Sequence, residues 1–227
     1  MSERAKRNAA AAAVALVEDG MRLGLGTGST AAQFVELLGV RVGAGLAVVA
    51  VPTSERTAAQ CRALGIPLTE LETTPRLDLC VDGTDEFDPA LNLIKGGGGA
   101  HLREKIVAAA ADRFVVIADV SKRVATLGAF PLPVEIVAMA RRPLSEAITA
   151  MGATVTLRTD DDGGGPFLTD EGNWILDCAF GPTIADPPAL AARLSALPGL
   201  VEHGLFCGMA ERVLVGDEDG VEEIVVT

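Results

Sequence analysis

No apolar run in this 227-residue chain approaches the length of a membrane span, although 49% of its residues are hydrophobic. The composition therefore argues against a membrane protein. Basic charge is scarce as well: 19 Lys and Arg stand against 31 Asp and Glu, a formal net charge of −12. This charge argues against nucleic acid as a partner, because binding its backbone needs a basic surface. The four cysteines, at 61, 80, 178 and 207, show no paired spacing for metal or redox work. They read as reduced, mostly buried thiols of a cytoplasmic protein. His101 and His203 are the only histidines, too few and too separated for a metal site or a triad; His101 is expected as a capping or surface residue. There are four lysines, Lys6, Lys95, Lys105 and Lys122, so each is an unusual choice where it occurs. The alanine-dominated run Ala9 to Val17 ends in Glu18 and Asp19 without a convincing cleavage site. It reads as an amphipathic helix rather than a secretory signal.

What is present is an alternation of short apolar runs and helical patterns. Residues 21–25, 47–51, 77–81 and 114–118 read as buried strands; 31–38, 55–64 and 102–111 read as helices. This order implies an α/β unit, a Rossmann-like, mainly parallel sheet with helices on both faces. In such sheets ligands gather at the carboxyl ends of the strands, where the motif candidates of this chain fall. Near Phe130-Pro131-Leu132-Pro133 the pattern changes. Strands at 134–138, 154–157, 174–180 and 200–206, with helices at 144–151 and 189–197, give the order β-α-β-β-α-β of a small ferredoxin-like α+β domain. The expected boundaries are 1–130 with 207–227 for the larger domain, and 131–206 for the smaller. Residues 212–215 and 222–226 return as strands of the main sheet. The acidic interruption Asp160 to Pro166 reads as a solvated hairpin loop, and its spacing does not fit a helix-loop-helix calcium site.

The most informative stretch is Lys95-Gly96-Gly97-Gly98-Gly99-Ala100-His101-Leu102-Arg103-Glu104-Lys105. Consecutive glycines leave backbone N–H groups unscreened, so an anion can approach the chain itself. A helix beginning at Ala100 adds a partial positive charge. Lys95 supplies a cation just before the glycines and Glu104 a carboxylate just after them. Alone, Glu104 would be an exposed helical residue paired with a neighbour; beyond an anion cradle, general-base duty becomes the better reading. Lys105 reads as a solvated lysine.

Gly24-Leu25-Gly26-Thr27-Gly28-Ser29-Thr30 follows the first strand and opens a helix, a combination suited to phosphate. The alternative is a structural turn with Ser29 as helix cap. The spacing is not G-x-G-x-x-G, and no acidic residue ends the second strand, so a dinucleotide site is weak. A Walker loop fails for want of its lysine. Asp82-Gly83-Thr84-Asp85-Glu86-Phe87-Asp88 packs four carboxylates behind an apolar strand. Such a cluster needs a reason, either magnesium or the hydroxyls of a sugar. For Glu86 and Asp88 a plain acidic turn is favoured.

Taken together, GLGTGST (24–30), PTSERT (52–57), DGTDEFD (82–88), KGGGGAHLREK (95–105), TDEGNWILD (169–177) and VEHGLF (201–206) resemble ribose-5-phosphate isomerase type A along essentially the whole chain. Thr84 and the stretch Gly99 to Leu102 vary the usual pattern without removing a reactive group. The resemblance implies interconversion of D-ribose 5-phosphate and D-ribulose 5-phosphate through an enediolate, in the non-oxidative pentose phosphate pathway. It implies neither metal nor organic cofactor, and a homodimer. By the same resemblance Glu104 is the base and Lys95 stabilises the oxyanion. Asp82 and Asp85, with Gly83 and Thr84 beside them, hold the sugar hydroxyls and assist ring opening. Gly96, Gly97 and Gly98 line the substrate, while Thr27, Gly28, Ser29 and Thr30 grip its phosphate. Lys6 and Lys122 help from distant parts of the chain, and their convergence is a structural expectation. The rivals are an aminosugar-phosphate isomerase-deaminase on a similar scaffold and a non-catalytic sugar-phosphate sensor. The sensor would need a DNA-reading helix, and no basic recognition helix is evident.

Overall fold

The computed structural model describes residues 2–160 and 164–225. Part of the acidic loop, Asp161 to Gly163, and the end of the last expected strand, Val226, lie outside the described residues. The chain forms two compact units, Met1–Thr84 with Arg103–Arg123 and Gly208–Thr227, and Asp85–Leu102 with Val124–Cys207.

In the first unit α1 (Glu3–Val14), β1 (Arg22–Leu25), α2 (Ser29–Gly43), β2 (Val49–Pro52), α3 (Glu55–Ala63) and β3 (Leu79–Asp82) follow one another. Most of α4 (His101–Ala109), then β6 (Phe114–Asp119), β12 (Arg212–Gly216) and β13 (Val221–Val225) complete it. The sheet runs β13-β12-β6-β3-β1-β2, parallel except for the β13 edge. Parallel strands bury both faces, and β6 is buried at every position. On one face Leu23, Leu25, Val81 and Ile117 pack with Ala9, Ala10 and Ala13 of α1 and Phe34 and Leu38 of α2. On the other, Gly24 has room for no side chain, because a Cβ there would lie 2.6 Å from Val107 of α4. The alanine run of the N-terminus is thus a packing surface. Its small side chains let α1 approach β12 so closely that a Cβ on Gly216 would collide with the Ala5 carbonyl oxygen.

Ahead of β3, Asp78 accepts hydrogen bonds from the Arg22 backbone N–H (2.7 Å) and from its guanidinium Nε (3.0 Å). The Arg22 side-chain bond, joined by the backbone bond, brings the Asp78 carboxyl down to about 2. The unfolded chain titrates near the ordinary value of about 4, so between these values the native state binds fewer protons. The stability this pair contributes is full above that ordinary value and is lost as pH falls through about 2. We expect Asp78→Asn to lower Tm at pH 7, with the gap from the unsubstituted protein closing as pH approaches 2. Thermal melts across that range check it.

The second unit opens with β4 (Glu86–Phe87) and β5 (Leu93–Ile94) and continues with β7 (Leu132–Ile136), α5 (Arg141–Ala150), β8 (Thr154–Leu157), β9 (Trp174–Ala179), α6 (Pro187–Ser195), β10 (Leu200–His203) and β11 (Leu205–Phe206). Its larger sheet has the order β10-β7-β9-β8 with antiparallel pairs, the ferredoxin-like arrangement. The core beneath it is Leu132, Val134, Ile136, Leu144, Ile148, Leu176 and Leu194. The stretch 200–206, expected as one strand, is two. Gly204 breaks it, and β11 joins β5 and β4 in a separate three-stranded sheet. Residue 204 must be glycine, since a Cβ there would collide with the Lys95 carbonyl oxygen. All four cysteines are free thiols. Burial pushes Cys61 up to about 11 and Cys178 to about 12, so both stay protonated. Among the described residues no helix is long and apolar enough to cross a membrane.

Candidate active site

The candidate residues fall into two groups, one on each unit. In the first unit the turn after β1 and the end of β3 are built together. Gly26 lies so close to Asp82 that any Cβ would collide with its carboxylate. Asp82, fully buried, accepts from the N–H of Thr27 (3.0 Å) and of Gly83 (2.7 Å) through Oδ1. Thr27, expected among the phosphate ligands, faces inward instead. Its hydroxyl meets those of Thr53 (2.8 Å), Ser54 (2.8 Å) and Thr57 (3.1 Å), and the Thr57 hydroxyl donates to Gly26 O (2.9 Å). The physical reason is local: β1 and β2 are register neighbours, so the two loops leaving them can share one buried hydroxyl cluster. Thr27 holds the turn from beneath, leaving Gly28, Ser29 and Thr30 to present it. α2 starts at Ser29, with Gly28 at the cap position (φ +122°) and no side-chain cap, so Ser29 is not the cap. The first-turn N–H groups and an exposed Ser29 hydroxyl remain for an anion.

Glu104 is buried, 4% exposed. Three residues further along α4, Val107 packs over Gly24 in the middle of β1. One residue before, Arg103 bonds Glu55 at the start of α3 (3.0 Å). Glu104 therefore sits toward the carboxyl edge of the sheet, the edge that carries Gly26 and Asp82.

Lys6 is also buried, its Nζ 2.9 Å from Glu3 Oε1. Neighbouring Ala5 lies against Gly216, the register partner of Asp119 in β6. On the other side α1 reaches α2, where Gln33 donates to Glu3 (3.3 Å) and accepts from Arg7 (3.3 Å). Asp119 in turn accepts from Ser121 N (2.9 Å) and caps the 3-10 turn Val120–Lys122 that carries Lys122. Both lysines thus lie on elements at the edge where α2 begins.

In the second unit the polyglycine segment is held from several sides. Asp85 is tied to β5 by its N–H to Ile94 O (2.8 Å), and its Oδ2 accepts from Gly97 N (2.7 Å). Gly97 has no space for a Cβ, which would stand 2.7 Å from Asp85 Oδ1. Gly96 has φ +104°, and its carbonyl accepts from Gly99 N (3.0 Å), closing a turn. Lys95 is 2% exposed, with its N–H bonded to Gly204 O (2.9 Å) and its ammonium 5.5 Å from the centre of the Phe206 ring. An aromatic face is a favourable neighbour for a desolvated cation.

His101, expected at a cap or on the surface, is fully buried. Its Nδ1 is 2.7 Å from where a Gly96 Cβ would stand, and its Nε2 lies 4.0 Å from Glu135. Burial pushes the Glu135 carboxyl up, opposed by hydrogen bonds from Asn173 and Thr169 (each 2.9 Å). The acidic cluster does not act as one group. Glu86 accepts from the N–H of Gly128 (2.8 Å) and Phe130 (2.6 Å), and Asp88 closes the 88–92 turn through Ala90 and Asn92. Both are structural caps, buried rather than solvated. No group of three or more His, Cys, Asp or Glu among the described residues could hold a metal ion. Sequence reasoning missed Ser54 and Thr57 as the support of Thr27, and Phe206 beside Lys95. The signal available was PTSERT after β2, whose hydroxyl density exceeds what a helix cap needs.

The chain is similar to known proteins over nearly its whole length. Residues 49–220 match the family model described as ribose 5-phosphate isomerase A (phosphoriboisomerase A). Ribose-5-phosphate isomerase A of Parvibaculum lavamentivorans is 54% identical over 224 residues, covering 96% of either chain. Its counterpart in Nitrobacter hamburgensis is 56% identical over 225 residues, again covering 96% of each. Among solved structures, ribose 5-phosphate isomerase A from Methanocaldococcus jannaschii superposes with a TM-score of 0.95 at 42% identity, over 99% of this chain and 100% of that one. A D-ribose-5-phosphate isomerase in complex with phospho-erythronic acid gives 0.96 at 39% identity, with the same coverage.

Proposed function

This chain belongs to the ribose 5-phosphate isomerase A family, and from that premise we propose how its residues divide the work of the reaction. It is an isomerase interconverting D-ribose 5-phosphate and D-ribulose 5-phosphate. Gly28, Ser29 and Thr30 bind the phosphate with the first-turn amides of α2, and Lys6 and Lys122 add positive charge. Thr27 maintains the turn. Binding energy from that remote group aligns the reacting carbons. Asp82 and Asp85 hold the ring hydroxyls and pass the proton that opens the furanose.

In the open-chain aldose, Glu104 removes the C2 proton. Negative charge develops on O1 and is met by the Lys95 ammonium and the N–H groups of the glycine segment. Transfer of a proton from O2 to O1, followed by return of a proton from Glu104 to C1, yields the ketose. Atoms balance without any oxidant or reductant, because the hydrogen leaves C2 and arrives at C1. A relative binds phospho-erythronic acid. That four-carbon acid phosphate carries two oxygens on one planar carbon, the shape and charge expected of an enediolate, which supports this route.

The observation that carries the assignment is a buried glutamate, 4% exposed, at the sheet edge shared with Asp82. Three reduced, buried thiols support a cytoplasmic setting. A homodimer and a place in the non-oxidative pentose phosphate pathway are carried over from the resemblance. The direct test is a coupled assay of ribose 5-phosphate turnover with and without a chelator. We expect equal rates in both; activity abolished by the chelator and restored by a divalent metal would overturn the metal-free route.

A further inference from the structure

Arg158 stands just after β8, a position at which the sequence offers no sign of function. Its backbone is pinned on both sides: its N–H donates to Ile175 O (2.9 Å) and its carbonyl accepts from Phe167 N (2.9 Å). The guanidinium is pinned too. Nε and Nη2 donate to the two carboxylate oxygens of Asp177 on β9 (2.9 and 2.5 Å), a bidentate fork that fixes the plane of the head group. The ring of Phe167 lies 5.8 Å from its central carbon. The same ring occupies the space that a Cβ on Gly99 would need, 2.5 Å away. The remaining nitrogen, Nη1, donates to the carbonyls of Gly96 (3.0 Å) and Gly97 (3.2 Å).

Two carbonyls held by one fixed cation determine where two amides point. No peptide bond among the described residues is cis, and in a trans peptide the N–H is directed opposite to the C=O of the same plane. With Gly96 O on Arg158, the N–H of Gly97 is turned away, and it donates to Asp85. With Gly97 O on Arg158, the N–H of Gly98 is turned away as well. Gly98 is exposed, and its N–H bonds no group among the described residues. A cation on the carbonyl end also polarises each peptide, which strengthens what its N–H donates by roughly 10–30% per bond. The Gly96–Gly97 plane is also held by Asp85 and by Gly99 N, so the Gly97–Gly98 plane is the one that glycine would otherwise leave free to rotate.

We infer that Arg158, locked by Asp177, is a positioning residue for the isomerisation: it aims the Gly97 amide at Asp85 and the Gly98 amide at the oxyanion. This rests on the reading that gives Asp85 and the glycine segment to the substrate. Lysine cannot replace it, since a single ammonium cannot hold a carboxylate in a fork and two carbonyls at once.

Arg158→Ala tests it. The expected result is a kcat about 100-fold lower with KM for ribose 5-phosphate within about 3-fold, because the phosphate is assigned to other residues. Affinity for phospho-erythronic acid should fall with kcat, while affinity for inorganic phosphate holds. Millimolar guanidinium, but not methylammonium, should restore part of kcat by refilling the space beside Asp177. If Arg158→Ala does not fold, Arg158→Lys keeps the charge without the fork, and a kcat loss of about 10-fold at unchanged Tm is expected. A kcat within two-fold in whichever variant folds would overturn the inference. So would an unrescued loss that falls equally on inorganic phosphate. The underlying reading fails separately, through Asp85→Asn turning over at the unsubstituted rate. Failure here alone leaves Asp85→Asn impaired and the Arg158 variant normal.

Discussion

Glu104→Gln is expected to lower kcat by about 10³-fold, the range in which a positioned general base contributes, while affinity for inorganic phosphate stays near normal. The amide has the shape of the carboxylate, so a side chain only 4% exposed can be exchanged without opening a cavity. What it loses is the ability to accept a proton from carbon. On the function proposed above, phosphate affinity comes instead from the α2 turn and the two lysines. The coupled assay gives kcat, and competition by inorganic phosphate gives the affinity. A third readout is incorporation of solvent deuterium into the sugar, which should fall with kcat. Turnover at the unsubstituted rate would remove Glu104 as the base.

Lys95→Ala should lower kcat by roughly 10²- to 10³-fold, the magnitude seen when one oxyanion-stabilising donor is removed. KM should change far less, because this cation acts on charge that exists only beyond the ground state. The effect on stability should be small beside that on the rate, because an ammonium 2% exposed, with an aromatic ring at 5.5 Å, carries a desolvation cost that offsets what its contacts contribute. A lost rate together with a collapsed Tm would make Lys95 a structural residue, and full activity would contradict its assignment outright. Lys95→Arg is expected to fail as well, since a planar fork does not fit where a compact ammonium is held.

Much of the fold was legible because its signals are local. Buried parallel strands read as short apolar runs, and 114–118 coincides with the fully buried β6 apart from its final Asp119. The glycine segments marked two tight turns for a steric reason that the structure makes concrete at Gly26 and Gly97. The smaller domain's β-α-β-β-α-β order was legible for the same reason, down to Thr154–Leu157 as a strand. Boundaries drifted where a residue stands between two competing uses. Residues 200–206 are uniformly apolar around one histidine and one glutamate, so nothing local revealed that Gly204 divides them between two sheets.

Partners, by contrast, depend on which strands become neighbours. His101 read as a surface residue because a histidine after four glycines looks like a cap; it is buried because Gly96 and Glu135 close over it. Thr27 read as a phosphate ligand because it sits in a hydroxyl-rich turn, yet β2 pairing beside β1 brings three more hydroxyls underneath and turns it inward. The four carboxylates of 82–88 were one cluster in sequence and serve separate backbone sites in space. Arg158 and Gly96 are 62 residues apart. The sequence by itself determined the order of elements, the two glycine turns and the kinds of reactive group, because periodicity and steric allowance act over a few residues. Only the tertiary structure decided which buried polar atom each of those groups must satisfy, because a desolvated donor or acceptor takes whatever partner the strand order delivers.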